Sequence, residues 1–216
     1  MEVMLDLEIL KSESYNFKIP LFLKNLSINK GKLIVFSAPS GSGKTTLVHY
    51  LLNERTDLAF SISATSRKPR ENEIDGKDYF FLSKEDFISK IDNGEFLEYE
   101  EVYDGTLYGT LIDEVERNLE NGVNVIFDID VIGGINIKEL FPERTLAIFV
   151  QPPSIEALEE RLKKRGDNSP EEIDKRVEKA IKEIEYSSAF DEIILNANLE
   201  ESKKIASKYV DKFLNQ

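Results

Sequence analysis

Cysteine is absent from the 216 residues and histidine occurs once. Without cysteine there is no disulfide framework and no thiol nucleophile. A single histidine leaves no ligand set for zinc, haem or an iron–sulfur cluster, and hardly the parts of a Ser-His-Asp machine. Any metal the chain uses is therefore a hard ion held on oxygen. No apolar run approaches the ~18 residues of a membrane span, so no segment is expected to cross a bilayer. Cations are scarce too: 28 Lys and Arg stand against 41 Asp and Glu, for a net charge of −13 and a pI near 4.7. Such a surface repels polyanions as a whole, which argues against nucleic acid and anionic membrane as partners. A phosphorylated ligand has to be met by cations gathered in one pocket.

What is present is ordinary for a globular chain, with 41% hydrophobic and 32% charged residues. The length suits one domain with small inserted subdomains. Residues 1–30 carry one apolar burst at 19–26, broken by Pro20, Lys24 and Asn25. They lack the basic start, continuous apolar stretch and small-residue cleavage site of a secretory signal. We expect an extension there, read as a disordered arm in preference to a short strand beside the first core strand. The absence of cysteine agrees with a cytoplasmic location, which is the expected one.

From Lys32 onward, short apolar runs alternate with helical periodicity. Leu33-Ile34-Val35-Phe36 has strand length and ends in Ser37-Ala38-Pro39-Ser40-Gly41-Ser42-Gly43, a turn, after which helix formers resume at Lys44. Further buried-strand runs lie at residues 123–129, 146–150 and 193–195. Leu111, Ile112, Val115 and Leu119 read as a helix stopping at Gly122, and Ile155, Leu158 and Leu162 as another stopping at Gly166. Ser169-Pro170-Glu171-Glu172 supplies an N-cap, a first-turn proline and a glutamate three after the cap. Continuous apolar strands alternating with amphipathic helices indicate an α/β fold with a parallel sheet covered on both faces. Residues 60–102 break the rhythm with Ser61-Ile62-Ser63-Ala64-Thr65, Tyr79-Phe80-Phe81-Leu82 and Phe96-Leu97-Glu98-Tyr99, plus a short helix over 83–93. They are expected to form a small mixed β insertion. The cation- and glycine-rich stretch 161–176 reads as a mobile flap.

Ser40-Gly41-Ser42-Gly43-Lys44-Thr45, after a strand and opening a helix, is most of the phosphate-binding loop G-x-x-x-x-G-K-S/T. Its glycines let backbone N–H groups surround phosphate oxygens, Lys44 reaches the outer phosphates, and the Thr45 hydroxyl binds Mg²⁺. Ala38, Pro39 and Thr46 complete the segment expected to cradle the nucleotide. The first glycine of the pattern is Ala38, so that position is not expected to need a positive φ. Val125-Ile126-Phe127-Asp128-Ile129-Asp130 places two acids at the C-terminal edge of a strand, where open α/β sheets put their ligands.

Taken with that loop, Ser63-Ala64-Thr65-Ser66-Arg67-Lys68-Pro69-Arg70, Gly76-Lys77-Asp78-Tyr79, Phe96-Leu97-Glu98 and Leu107-Tyr108-Gly109-Thr110 make the sequence resemble guanylate kinase from about Gly31 to the C-terminus. The resemblance implies a P-loop NTPase-type sheet (core 31–59 and 111–216), a GMP-binding insertion (60–110) and a helical lid (about 161–176). It implies transfer of a phosphoryl group from ATP to GMP with Mg²⁺, in a monomer or homodimer. Arg67, Arg70, Tyr79 and Tyr108 would hold the GMP phosphate, a role that suits two guanidinium forks and two phenols facing a dianion. Ser63, Glu98 and Thr110 would surround the guanine; from spacing alone Glu95, Glu100 or Glu101 could serve as well, and the motif position selects Glu98. Asp128 would sit near the Mg²⁺ and phosphates, and Asp130 toward GMP. Arg161, Arg165 and Arg176 match the lid arginines, and with Lys44 they would neutralise the migrating charge. Asn196 lies in the segment resembling the adenine wall. The family often has glutamine where this chain has Ile132, and aspartates where it has Ala197 and Asn198. Two other readings are a catalytically inactive guanylate-kinase-like interaction module and a related kinase with another phosphorylated acceptor. Lys44, Thr45 and the lid arginines argue against the first.

Overall fold

The computed structural model describes residues 31–103, 105–165 and 169–216, and among these the side chains at 102, 103 and 165 are not described. The expected extension 1–30 and the lid tip 166–168 therefore lie outside the described residues, as does the side chain of Arg165.

Strands β1 (Leu33–Ser37), β2 (Leu58–Phe60), β7 (Asn124–Ile129), β8 (Thr145–Gln151) and β9 (Glu192–Leu195) form one parallel sheet in the order β2-β7-β1-β8-β9. β1, at its centre, is buried along its whole length, because helices cover both faces. Period-two alternation sorts its side chains. Ile34 and Phe36 pack with Leu47, Val48 and Leu51 of α1 (Lys44–Glu54) and with Ala206 and Val210 of α7 (Leu199–Leu214). Leu33 and Val35 face Val115 and Leu119 of α3 (Ile112–Glu120) and Ile137 of α4 (Val131–Leu140). Register pairs Phe36 with Asp128 and Ser37 with Ile129, so the phosphate-loop strand and the acid-tipped strand end side by side.

The insertion is a four-stranded sheet, β4-β3-β6-β5, made of β3 (Ala64–Thr65), β4 (Phe80–Phe81), β5 (Phe96–Tyr103) and β6 (Thr106–Leu111), with α2 (Lys84–Asp92) packed on it. It has its own small core of Ala64, Phe87, Phe96 and Leu107, in which the Phe87 and Phe96 rings stack at 4.3 Å. The lid consists of α5 (Ile155–Arg165) and α6 (Pro170–Glu185), joined through Leu158, Leu162, Ile173 and Ala180. All three lid arginines, Arg161, Arg165 and Arg176, thus fall within helices that share a core, not on the loop between them. The capping box at Ser169 is formed as the sequence predicts.

Several elements were not legible in the sequence, among them β6, whose last residue, Leu111, the periodicity assigns to the following helix. β2 is a three-residue edge strand, too short for periodicity to register, and it draws Phe60 into the main sheet, out of the insertion. α4 contains Gly133 and Gly134, which mask a helix on propensity alone. α7 is capped by Asn198, whose side chain accepts from the N–H groups of Glu200 and Glu201. The strand expected at Ser61-Ile62-Ser63-Ala64-Thr65 contracts to Ala64–Thr65, because Ser61 instead donates its N–H to Ile126 of the main sheet.

Candidate active site

The main sheet, the insertion and the lid enclose a cleft of about 640 Å³ at the C-terminal ends of β1 and β7. Its floor is the loop between β1 and α1. Gly41 and Gly43 take φ of 90° and 92°, the left-handed conformation a side chain would strain. A side chain at Gly43 would also collide with Nδ2 of Asn196. Ala38 is buried in the core with Leu47 and Val48, so its methyl group packs where the motif allows glycine. Helix α1 has no side-chain cap and no acid in its first turn. By contrast α2, α4, α6 and α7 are capped by Ser83, Asp130, Ser169 and Asn198. The positive end of α1 is thereby left for an anion, and the glycines let the chain fold around one.

Lys44 donates to the Ile129 carbonyl at 2.6 Å and pairs with Asp128 at 2.5 Å, which ties the loop to the tip of β7. From the lid, Arg161 donates to the carbonyls of Ser42 (3.2 Å) and Asn196 (2.9 Å), and Arg176 to Ser40 Oγ (3.0 Å). Asn196 is buried and donates from Nδ2 to the Ser42 carbonyl at 2.7 Å, so it shapes the loop from behind and does not line the cleft. Thr45 and Thr46 open onto the cleft. Among the described residues no cluster of three His, Cys, Asp or Glu forms a metal site. The Thr45 hydroxyl and the Asp128 carboxylate both line the cleft and are hard oxygen donors of the kind Mg²⁺ takes when phosphates and waters complete its shell.

Across the cleft stand Ser63, Arg70, Tyr79 and Tyr108. Tyr79 meets Tyr108 edge to face at 6.0 Å, and burial followed by the neighbouring Tyr108 raises the Tyr79 hydroxyl above its usual range. Arg67 is behind them: its Nε donates to Tyr108 Oη at 3.2 Å, and its guanidinium lies 4.8 Å from the Tyr79 ring centre. The fork itself is taken by Glu73, at 2.5 and 2.6 Å. That bidentate pair is the main reason the Glu73 carboxyl is held down to about 2. Arg67 is therefore brought to the site but turned onto an internal carboxylate.

Deeper in, Glu98 is 3% exposed, and its Oε1 accepts from the buried Thr110 hydroxyl at 2.6 Å. Burial first, then the charge of Asp130, pushes its carboxyl up to about 8. Glu100, two residues along the same strand face, touches Asp130 and is pushed up to about 10, chiefly by burial; its Oε2 is buried without a partner. Lys179 and Glu183 on α6 complete this wall, with Glu183 raised by burial to about 7.

The structure thus gathers the phosphate loop, Asp128, Asp130, Arg161, Arg176, Ser63, Arg70, Tyr79, Glu98 and Tyr108 around one cleft, with Arg67, Thr110 and Asn196 as supports behind it. Glu73, Lys179 and Glu183 were not singled out from sequence, and Glu100 entered there only as an alternative to Glu98. Two periodicities carried a signal for three of them. Glu98 and Glu100 share a strand face, and Arg176, Lys179 and Glu183 fall on one face of α6 at spacings of three and four.

Comparison with known proteins agrees with this geometry. The guanylate kinase family model matches residues 30–213. The chain is 55% identical to a guanylate kinase of Bacteroides thetaiotaomicron over 186 residues, 86% of this chain and 91% of that one. It is 51% identical to one from Porphyromonas gingivalis, covering 84% of this chain and 99% of the relative. The crystal structure of guanylate kinase from Anaplasma phagocytophilum superposes with a TM-score of 0.68 at 31% identity, covering 85% and 86% of the two chains.

Proposed function

The chain belongs to the guanylate kinase family, and from that premise we infer that it transfers the γ-phosphoryl group of ATP to GMP, giving ADP and GDP. The observation that carries the reading is one cleft with a phosphate loop on one wall and, on the other, a buried carboxylate below paired tyrosines. A nucleoside triphosphate and a nucleoside monophosphate have complementary chemistry at those two ends. The interaction-module reading is not favoured, because such a module has no use for Lys44 and two arginines aimed at an uncapped helix start.

In the proposed mechanism a GMP phosphate oxygen attacks the γ-phosphorus, the bond from that phosphorus to the β-bridging oxygen breaks, and ADP leaves. No protein nucleophile is required, so the residues position groups and neutralise charge. Backbone N–H groups between Ser40 and Thr46 bind the triphosphate, with Ala38 and Pro39 shaping the turn, and Lys44 moves from Asp128 onto its outer oxygens. Arg161, Arg165 and Arg176 stabilise charge on the group in transfer. Thr45 and Asp128 would hold Mg²⁺, which when bound neutralises charge on the β- and γ-oxygens. Arg70, Tyr79 and Tyr108 take the GMP phosphate, joined by Arg67 once it exchanges Glu73 for the phosphate. Glu98, held through Oε1 by the Thr110 hydroxyl, accepts from guanine N1–H and the N2 amino group, while Ser63 serves the other edge and Asp130 lies beside them. We propose a core of 31–60 with 111–216, an insertion of 61–110 that begins after Phe60 because Phe60 pairs in the main sheet, and a lid at about 161–176. One chain supplies every group named. No helix among the described residues is long and apolar enough to cross a membrane, and we place the protein in the cytoplasm as the compartment of its substrates.

A coupled ADP-release assay across GMP, AMP, CMP, UMP and dGMP tests the reading. ADP release should depend on GMP, and equal turnover of AMP would refute the guanine assignment.

A further inference from the structure

Helix α4 begins at the Asp130 cap and carries Gly133 and Gly134 side by side. Glycine inside a helix is unfavourable relative to alanine, so each position asks for a reason. Neither has a positive φ, so the backbone does not supply one. At Gly134 an added Cβ would meet the sheet and its cover: Ser37 Oγ, Val35 Cγ1 at 3.1 Å and Phe190 Cε1 at 3.3 Å. That is helix-on-sheet packing. Gly133 differs: its added Cβ would lie 2.7 Å from Glu98 Oε2, 3.3 Å from Glu98 Cδ and 3.1 Å from Asp130 Oδ2. The space a side chain would fill is the space in which the two carboxylates lie.

We propose that Gly133 is a positioning residue for nucleobase recognition. By having no side chain it lets Glu98 rest against the first turn of α4, with the Thr110 hydroxyl fixing Oε1 and the open Gly133 surface receiving Oε2. Gly133 N–H donates to Asp130 Oδ1 at 2.9 Å, so one residue fixes Asp130 and makes room for Glu98. A methyl group at 133 pushes the Glu98 carboxylate off its hydroxyl anchor, and neither oxygen then meets the paired donors of guanine. The phosphate loop and the lid arginines are untouched. This inference rests on the reading of Glu98 as the base-recognising group.

The test is a double-mutant cycle of Gly133→Ala and Glu98→Ala, read by GMP titration calorimetry and by steady-state kinetics with GMP and AMP. Gly133→Ala should raise the GMP KM about tenfold or more and narrow the GMP-over-AMP preference, with kcat at saturating GMP and the ATP KM within about threefold of the unmodified protein. Because Glu98→Ala removes Oε2, the atom nearest the new methyl group, and Cδ with it, and leaves the 3.1 Å approach to Asp130 Oδ2, the double variant should bind GMP about as well as Glu98→Ala alone. If Gly133→Ala does not fold, the double variant should fold, by the same relief. A GMP KM unchanged in Gly133→Ala, or losses that add in the double variant, would overturn the inference while leaving the Glu98 reading in place. A Glu98→Ala protein that binds GMP normally would overturn that reading and the inference with it.

Discussion

Recognition of GMP should strengthen as the pH rises from 6.5 to 8.5, and the rise should disappear in Glu98→Gln. Glu98 is 3% exposed, anchored by one hydroxyl and set beside Asp130, and its carboxyl is pushed up to about 8 in the free protein. Guanine offers two donors at N1 and N2, so the bound form needs the ionised carboxylate, which only accepts. Below the free-protein value, binding therefore includes loss of a proton. The apparent dissociation constant scales as 1 + 10^(8−pH), which falls about 25-fold between pH 6.5 and 8.5. The window lies above the second ionisation of a phosphate monoester, near 6, so the GMP phosphate contributes little to the slope. Titration calorimetry without ATP, in buffers of different ionisation enthalpy, gives affinity and proton release together. At pH 7 about 0.9 proton should leave per GMP bound, from the protonated fraction of a group titrating near 8. Glu98→Gln should bind more weakly, with a flat profile and no release. A flat profile in the unmodified protein, with no proton released at pH 7, would refute the reasoning that Glu98 is protonated in the free protein and ionises to accept both donors.

The same shift has a consequence for stability. A carboxyl raised on folding stabilises the fold fully below its unfolded value near 4.5, and that contribution is lost as pH rises through about 8; Glu98, Glu183 and Glu100 share this sign. The Tm of the free protein should fall between pH 5 and 9, and Glu98→Gln should fall less, as calorimetric scans would show. Lys44→Ala should leave the fold intact and lower kcat at least 100-fold, since a preorganised charge at a phosphoryl centre contributes roughly 3 kcal/mol; near-normal turnover would refute the mechanism. Small-angle scattering should report a more compact particle with GMP and an ATP analogue together than with neither, because the two substrates must meet with water excluded; superimposable curves would count against closure.

Legibility in the sequence followed the range of the forces involved. The phosphate loop was readable because its chemistry is local: a turn that needs Gly41 and Gly43, a helix start, and Lys44 and Thr45 at fixed offsets. The Ser169 capping box was readable for the same reason. The central strands were readable because a sheet covered on both faces makes apolar runs that nothing else in the chain imitates. β2 was not, since three residues carry no period and only pairing with β7 makes them a strand. Helix α4 was obscured by the glycines that the site itself imposes, so local propensity gave way to the approach of Glu98 from another element. Glu98 was separable from Glu95, Glu100 and Glu101 only through the family motif. Burial now distinguishes it from Glu95 and Glu101, and the cleft lining, which includes Glu98 and not Glu100, separates it from its neighbour on the same strand face. The Arg67–Glu73 pair could not be read at all, because the same residues spaced six apart in a loop are equally consistent with two solvated charges.

That pair bears on how so acidic a chain presents cations to two phosphorylated substrates. Four of the basic groups that the proposed mechanism aims at phosphate are already engaged. Lys44 pairs with Asp128, Arg67 is forked onto Glu73, Arg161 lies on two carbonyls, and Arg176 lies on the Ser40 hydroxyl. These partners hold the cations near their working positions, sparing some of the side-chain entropy that ordering a lysine or arginine on binding would cost. They also keep the cleft from accumulating unopposed positive charge, in a protein whose net charge is −13. Binding is then an exchange of one anionic or carbonyl partner for a phosphate oxygen. An exchange discriminates: a ligand must offer more to the fork of Arg67 than Glu73 does, and a dianionic phosphate with three oxygens does so where a lone carboxylate would only match it. Glu73→Gln should therefore weaken the internal competitor while freeing Arg67 to wander, so the GMP KM will move according to which effect is larger. A simple carboxylate probe separates the two: acetate should inhibit GMP binding to Glu73→Gln and leave the unmodified protein unaffected, and equal inhibition of both would show that Glu73 does not guard the fork.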